Sequence, residues 1–281
     1  MRLRVLHESR YTFDEPVFLE PQTLRFRPAY APYLTVEDFK LSIQPTPAGI
    51  TEIQDPEGNW MSQCWFNTSD TQLTIHAETL LEIQNHNPFD FLIYPDQYLS
   101  VPFDYDQQLA ARVSKSLQDI EISKALKEYS KGIQSSSQSR TVDFIIALTQ
   151  LISQDFKVIH RAEGAPHSPE QTFEAKEGSC RDLAWMQIHM LRNLGVAARF
   201  VSGYYYVDVE EPEYELHAWV EAYLPGAGWF AFDPSNGLIN NEHHITVAAS
   251  AHYENTMPVT GTFRGAATGK LTTDLVIEAL G

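Results

Sequence analysis

The chain has 281 residues, of which 43% are hydrophobic and 20% charged, so it is long enough to bury one large core or two ordinary ones. Acidic residues outnumber basic residues by 37 to 20, which gives a formal net charge of −17. Nucleic acids and anionic membranes are bound through clustered lysine and arginine, so this charge argues against both as main partners. An acidic surface is otherwise explained by solubility.

The two cysteines, Cys64 and Cys180, are too few for a disulfide framework. The first eight residues alternate charged with apolar side chains and lack the continuous apolar segment of an export signal. No stretch of the sequence has the length of a membrane-spanning helix. We therefore expect a cytoplasmic protein, because a reactive thiol stays reduced in that compartment. No pattern in the sequence indicates an oligomeric state.

The first part of the chain has the alternation of apolar and polar residues that is typical of strands. It occurs in residues 24–27, 39–44 and 73–77, and the segment DPEGN at 55–59 is a strong turn signal. Several short strands separated by turns predict an antiparallel, β-sandwich-like N-terminal domain over residues 1–105.

Helical patterns replace this alternation from about residue 106. Residues 107–117 and 122–129 are polar and compatible with helices, and 141–153 have an apolar face. A serine-rich break separates the last two of these segments at 135–139. Ser168 followed by Pro169 predicts a further helix start, with serine as the N-cap.

Strand patterns follow the helical ones in the second half of the chain. They lie at residues 197–207, 215–223 and 228–233, with later ones at 245–248 and 275–277. Helices followed by antiparallel strands predict an α+β domain. We assign it to residues 106–281, with a core at about 140–240 and closing strands within 242–281.

Cys180 lies at a predicted helix start. Apolar residues follow it at three- and four-residue spacing, and Gly195 is a helix stop. Unpaired N–H groups and the positive end of the helix dipole favour a thiolate at such a position. A thiolate needs an imidazole and a carboxylate to form an activated cysteine nucleophile, and His217 and Asp233 follow in strand patterns.

The turn-rich segment 224–228 places these two residues near each other. If Tyr223 pairs with Trp229 across this segment, His217 falls opposite Ser235. Asp233 lies two residues before Ser235 on the same strand, so its side chain is on the same face of the sheet as that of His217. Diagonal neighbours on one face lie roughly 7–8 Å apart, within reach of histidine and aspartate side chains. A slip of one residue would put the two on opposite faces.

Each residue alone has an ordinary structural explanation. A single cysteine is usually a small buried hydrophobe, a histidine in a strand is usually a satisfied polar residue, and Asp233 before Pro234 is common in turns. The order and spacing of all three favour one mechanism. Cys64 has no charged residue beside it, and we interpret it as structural.

The segments around these three residues resemble the bacterial transglutaminase-like proteins. The resemblance covers about residues 140–240 and is specific in order, spacing and flanking aromatic residues. Its segments are GSCRDLA at 178–184, HAWVE at 217–221 and GWFAFDP at 228–234.

Other parts of the chain resemble the same family. The opening segment through Arg27 and Pro28, and the turn at Gly58, are similar to its β-rich N-terminal domain, and residues 258–261 to its C-terminal strands. The resemblance implies a papain-like core in which helices pack on an antiparallel sheet. It also implies that Cys180 is the nucleophile and His217 the general base and acid.

In this family pattern Asp233 orients the imidazole. Three neighbours are candidates for an oxyanion or substrate pocket: Ser179, Arg181 and Trp219. The alternative for Arg181 is a charge pair at the helix start, and the alternative for Trp219 is packing in the core. His160, His167 and His189 are lesser candidates. The acidic loops of calcium-activated relatives and the ligand spacing of zinc sites are both missing from the sequence, so we expect no metal and no cofactor.

Three functions remain open from sequence. The first is a cysteine hydrolase (protease, amidase or deamidase) that acts on amide bonds of peptides or proteins through a thioester. The second is an acyltransferase that joins a glutamine side chain to an amine. The third is a binding or scaffold module that keeps the fold without catalysing a reaction.

Overall fold

A computed structural model describes residues 1–118, 121–161, 164–209, 212–239 and 242–280. Within these ranges the chain forms strands at both ends and helices between them. The strands are β1 (Arg2–Leu19), β2 (Gln22–Leu24), β3 (Leu34–Gln44), β4 (Gly49–Gln54), β5 (Trp60–Trp65), β6 (Ser69–Ile83), β7 (Lys157–Val158), β8 (Glu177–Gly178), β9 (Ala198–Tyr205), β10 (His217–Leu224), β11 (Gly228–Asp233), β12 (Leu238–Ile239), β13 (His244–Ser250), β14 (Val259–Thr260), β15 (Phe263–Arg264) and β16 (Gly269–Leu280). The helices are α1 (Gln107–Val113), α2 (Lys124–Ser136), α3 (Thr141–Asp155), α4 (Pro169–Ala175) and α5 (Cys180–Asn193).

Two antiparallel sheets form the N-terminal unit. One contains β15, β1, β6 and β3, with β16 also paired to β1, and the other contains β14, β2, β5 and β4. Apolar side chains from both sheets meet in one buried cluster, which is the expected core of a sandwich. Its members are Phe13, Val17, Leu19, Leu24, Phe26, Ile43, Cys64, Phe66, Leu73, Ile75 and Ala77. The predicted β-rich N-terminal region is confirmed.

The second unit packs helices against a five-stranded antiparallel sheet of order β12-β11-β10-β9-β13. Helix α5 lies against β9 and β10, and its apolar residues join those of α2, α3 and the sheet in one buried core. Helix α3 starts and ends within two residues of the predicted segment 141–153. Helix α2 continues to Ser136, so the predicted serine-rich break at 135–139 begins at Ser137, later than expected. The α+β class is confirmed.

The end of the chain differs from the predicted division. Residues 242–281 were grouped with the second unit, yet only β13 joins its sheet. Strands β14, β15 and β16 return to the N-terminal sheets, and β16 pairs with β1 from Arg2↔Leu280 to Phe13↔Gly269. A strand pattern fixes the period of a segment but not its partner, so the sequence could not assign these strands. Gly281 lies outside the described residues, and the boundary at residue 105 stays a prediction.

The two units share an apolar contact. The N-terminal unit contributes side chains of its first sheet, which includes β16, and the second unit contributes side chains from β13 and from the end of β9. The members are Leu3, Val5, Leu34, Leu81, Ile83, Tyr204, Tyr206, Ile245, Val247, Leu275 and Ile277. Strand β9, which pairs with the His217 strand β10, therefore contributes side chains both to this contact and to the core of the second unit. Among the described residues, no helix combines the length and the apolar character needed to cross a membrane.

Candidate active site

Helix α5 begins at Cys180, as predicted. Ser179 is its N-cap, and Asp182 completes a capping box, since its Oδ2 accepts from the Ser179 amide at 2.7 Å and from the Ser179 hydroxyl at 2.6 Å. The box satisfies the Ser179 amide and fixes the entry of the chain into the helix. The Cys180 thiol is thus held in the first turn, where the N–H groups lack intrahelical acceptors.

The loop before the helix is bound to the same carboxylate. Oδ1 of Asp182 accepts from Arg161 Nη2 at 2.6 Å and from the His167 amide at 2.7 Å. Arg181 donates to the Gly164 carbonyl at 2.7 Å and also to the Arg161 carbonyl. Because Asp182 is fully buried, these donors compensate for the cost of burying its charge.

His217 and Asp233 are brought together by the predicted hairpin. Tyr223 pairs with Trp229, so the register is the expected one. The His217 Nε2 atom lies 2.8 Å from Asp233 Oδ2, and the Asp233 side chain is 1% exposed. The carboxylate accepts only, so Nε2 is the donor, and Nδ1 is left for the thiol.

The Cys180 thiol and the His217 ring are hydrogen-bonded to each other, and the Ala218 amide donates to the sulfur. Burial raises the pKa of Cys180, but the bond to His217, its charge and the Ala218 amide together lower it below the ordinary value. Burial likewise lowers the pKa of His217, while the Asp233 charge and hydrogen bond outweigh it and raise that pKa to about 10. Both shifts favour the thiolate–imidazolium form of the pair.

Asp233 has further partners that sequence reasoning missed. Its Oδ2 lies 3.1 Å from His244 Nε2 and accepts from Asn236 Nδ2 at 2.8 Å. Its Oδ1 accepts from the Ser235 amide at 3.0 Å and the Asn236 amide at 3.3 Å. Burial raises the pKa of Asp233, but the charges and hydrogen bonds of His217 and His244 outweigh it and lower that pKa below its ordinary value. The only sequence signal for His244 was a histidine at a strand start.

Three side chains of the site are of the types that bind metal ions. The ligand-type atoms of His217, Asp233 and His244 all lie within 4.8 Å of one another. The Nε2 atoms of His217 and His244, however, are already hydrogen-bonded to the Asp233 carboxylate. The three side chains therefore satisfy one another without a metal ion. We assign no metal ligand here, and the absence of a metal requirement stays a prediction.

The three pocket candidates lie in different surroundings. Ser179 is buried, and its hydroxyl is engaged by Asp182. Trp219 is fully buried with Val201, Ala231 and Ala249 and packs as core. The Arg181 charge acts on the thiol, as the smallest of the effects that lower the pKa of Cys180.

The lesser candidates do not join the site. His160 is exposed and forms an ion pair with Glu215 at 3.0 Å. His167 contributes its backbone amide to Asp182. His189 is buried in α5 with its ring edge-on to Trp185, and burial lowers its pKa to about 4.

Comparison with known proteins identifies both units. Residues 3–82 match the bacterial transglutaminase-like N-terminal region, and residues 127–234 match the transglutaminase-like superfamily. A protein of Mycobacterium leprae with no assigned function is 23% identical over 300 residues, which cover 99% of this chain and 98% of that protein. A protein-glutamine gamma-glutamyltransferase of Pseudomonas aeruginosa is 31% identical over 81 residues, which are 26% of this chain and 12% of that protein.

A crystal structure has the same fold over the full length. It is that of a candidate cysteine protease from Cytophaga hutchinsonii, with a TM-score of 0.72 and 18% identity, and it covers 100% of this chain and 92% of the other. The two family regions together contain strands β1–β6 of the sandwich, to within one residue at each end, and helix α5 and the β10–β11 hairpin of the site. The chain therefore belongs to the transglutaminase-like superfamily and has the bacterial N-terminal region of that family.

Proposed function

We propose that this protein is a cysteine enzyme that cleaves amide bonds of peptides or proteins through a thioester on Cys180. The observation that supports this proposal most directly is the chain of contacts from the thiol to His217 and from His217 to Asp233 at 2.8 Å. This arrangement activates a sulfur nucleophile and supplies a proton donor beside it.

In the first step the thiolate attacks the carbonyl carbon of the amide and forms a C–S bond. The amide group of Cys180, in the first turn of α5, is the natural donor for the developing oxyanion. His217 gives its proton to the departing nitrogen, the C–N bond breaks, and an amine leaves. The enzyme then holds an acyl group as a thioester, with His217 neutral.

In the second step His217 accepts a proton from a water molecule, which attacks the thioester carbon. The C–S bond breaks, the acid leaves, and the thiolate–imidazolium pair is restored. Asp233 keeps the imidazole in the tautomer that both steps need and stabilises its charged form. Water is the default acceptor of a thioester because no other acceptor needs to be bound.

An amine could take the place of water, which would make the enzyme an acyltransferase. The 31% identity to a protein-glutamine gamma-glutamyltransferase over 81 residues favours this second candidate. The two candidates share the first step and differ only in the acceptor.

Mass spectrometry separates these candidates. The protein is incubated with a glutamine-containing peptide and an isotope-labelled primary amine. A gain of about one mass unit per glutamine indicates deamidation, amine incorporation indicates transfer, and shorter peptides indicate a protease. All three should be lost in Cys180→Ala and kept in Cys64→Ala.

The non-catalytic alternative makes the opposite prediction. A scaffold would leave every peptide unchanged, and iodoacetamide would label Cys180 as slowly as Cys64. That result would overturn the proposal. A cytoplasmic location also stays a prediction.

A further inference from the structure

The carboxylate of Asp233 is shared by two imidazoles. His217 approaches Oδ2 at 2.8 Å and His244 approaches the same atom at 3.1 Å. Only the first of these rings contacts the thiol. His244 is 3% exposed, so it cannot exchange its bond to Asp233 for one to bulk water without moving.

The backbone brings His244 to this position. His244 is the first residue of β13 and pairs with Tyr205, and its ring lies 4.7 Å from the Tyr205 ring and 5.0 Å edge-on from Trp219. Gly203 lies opposite His217 on one side and Thr246 on the other. A Cβ atom at Gly203 would overlap the Trp219 ring and the backbone of β13, so this glycine permits the close approach.

The surroundings of His244 keep its ring neutral. Burial lowers its pKa, and the neighbouring His217 and His243 lower it further, while Asp233 opposes them without prevailing. Tyr205 also faces the ring. A neutral imidazole has one N–H, and a carboxylate only accepts, so that proton lies on Nε2. His244 therefore adds a hydrogen bond to Asp233 without a second positive charge beside His217.

We propose that His244 is a positioning residue, which holds the Asp233 carboxylate in the orientation that supports the ion pair of His217 and Cys180. This inference rests on the proposed function, since it concerns the activation of the same thiol. Without His244, the Asn236 side chain is the remaining partner of Oδ2 beside His217 among the described residues, and Asn236 is less buried than the histidine. The Ser235 and Asn236 amides still hold Oδ1, but Oδ2, the atom that faces His217, is then less firmly fixed.

The test measures the rate of Cys180 alkylation by iodoacetamide across pH, with the labelled cysteine identified by peptide mapping. In His244→Phe the ring shape stays but the donor is lost, and we expect labelling at neutral pH to fall about tenfold. The rise of the rate with pH should move toward that of an ordinary thiol. His244→Gln, whose amide reaches the place of Nε2, should restore most of the rate.

Two controls separate positioning from stability. His7 is also 3% exposed and hydrogen-bonded, to Tyr204, so His7→Phe should lower stability and leave the alkylation profile unchanged. His244→Asn is polar like glutamine but too short to reach Asp233, and it should behave like phenylalanine. The comparison of His244→Gln with His244→Asn tests the positioning role of His244 even where His244→Phe does not fold.

Several results would overturn the inference. They are wild-type labelling in His244→Phe, equal labelling of the glutamine and asparagine variants, or a loss in His7→Phe as large as that in His244→Phe. Failure of the proposed function looks different, because Cys180 of the wild-type protein would then label no faster than Cys64.

Discussion

The two units of the protein each contain one cysteine, and the two thiols have opposite properties. Cys64 lies in β5, fully buried in the core of the sandwich, and burial raises its pKa to about 11. Cys180 is partly buried, and burial acts to raise its pKa too, yet that pKa is lowered. Burial therefore does not decide which thiol is reactive. The decisive difference is what the surrounding residues offer to the sulfur.

At Cys64 the only polar contribution that opposes burial is the Gln22 backbone. At Cys180 a cationic ring, a backbone amide and a nearby arginine charge all favour the thiolate. The sandwich encloses a thiol with apolar side chains, whereas the α+β unit presents one at a helix start beside a hydrogen-bonded histidine. The comparison predicts different outcomes for the same substitutions at the two sites.

The largest expected effect is on catalysis. Cys180→Ser should lower the rate of amide cleavage by about 10⁴-fold or more, because a hydroxyl at this position is a far weaker nucleophile. Cys64→Ser should leave the rate of the folded protein unchanged. Turnover of the glutamine peptide by both variants is the measurement, and a similar loss in both would remove the functional distinction.

The second effect concerns His217, the histidine that makes the environment of Cys180 different from that of Cys64. The raised pKa of His217, about 10, means that its positive charge persists from neutral pH up to about that value and is lost above it. Wild-type Cys180 should therefore label faster than an ordinary thiol over this interval, and this advantage should be lost above it. In His217→Ala labelling at pH 7 should fall at least about tenfold and increase with pH like that of a free thiol.

Cys64 supplies the internal standard for this experiment. Its labelling should be slow in both proteins, since it depends on opening of the sandwich. If His217→Ala slows both cysteines equally, the effect is on folding and the contact between His217 and the thiol has no special role.

The third effect is on the free energy of unfolding, for which we expect the substitution at Cys64 to matter more than the one at Cys180. Cys64→Ser places a hydroxyl in the apolar core and should lower the free energy of unfolding by about 1–3 kcal/mol. Cys180→Ser changes a site that already has polar partners and should cost less. Urea denaturation, compared by midpoint and slope, measures both. A larger loss at Cys180 would contradict the comparison.

The smallest effect is expected at Arg181, which acts on the Cys180 thiol mainly through its charge. Arg181→Gln should slow Cys180 labelling about two- to threefold, because a partly exposed charge is screened by solvent. The salt dependence of labelling should also weaken. A tenfold loss would show that Arg181 is a main support of the thiolate.

Local patterns were enough to predict much of the site. Helix α5 follows from the spacing of apolar residues and from Gly195, and the contact of His217 with Asp233 follows from counting along one hairpin. Both depend on residues that are close in sequence. The site residues themselves were proposed from the sequence, and their catalytic roles stay proposals.

Of the partners of Asp233 that sequence reasoning missed, Ser235 and Asn236 follow it directly in the chain, whereas His244 depends on the order of strands in a sheet. His244 reaches Asp233 because β13 pairs with β9, and no local pattern specifies that neighbour. The sequence leaves open whether Trp219 lines the pocket or packs in the core, because its burial depends on residues that are distant in sequence. Strand partners are chosen by long-range burial, which a single sequence does not reveal.

The pairing of β1 with β16 has a consequence for biosynthesis. These strands are separated by about 250 residues, so their contacts form only after β16 has left the ribosome. Closing so long a loop costs entropy before any contact compensates for it, which makes this pairing slow. Until then one edge of β1 is open to wrong strand partners in the nascent chain.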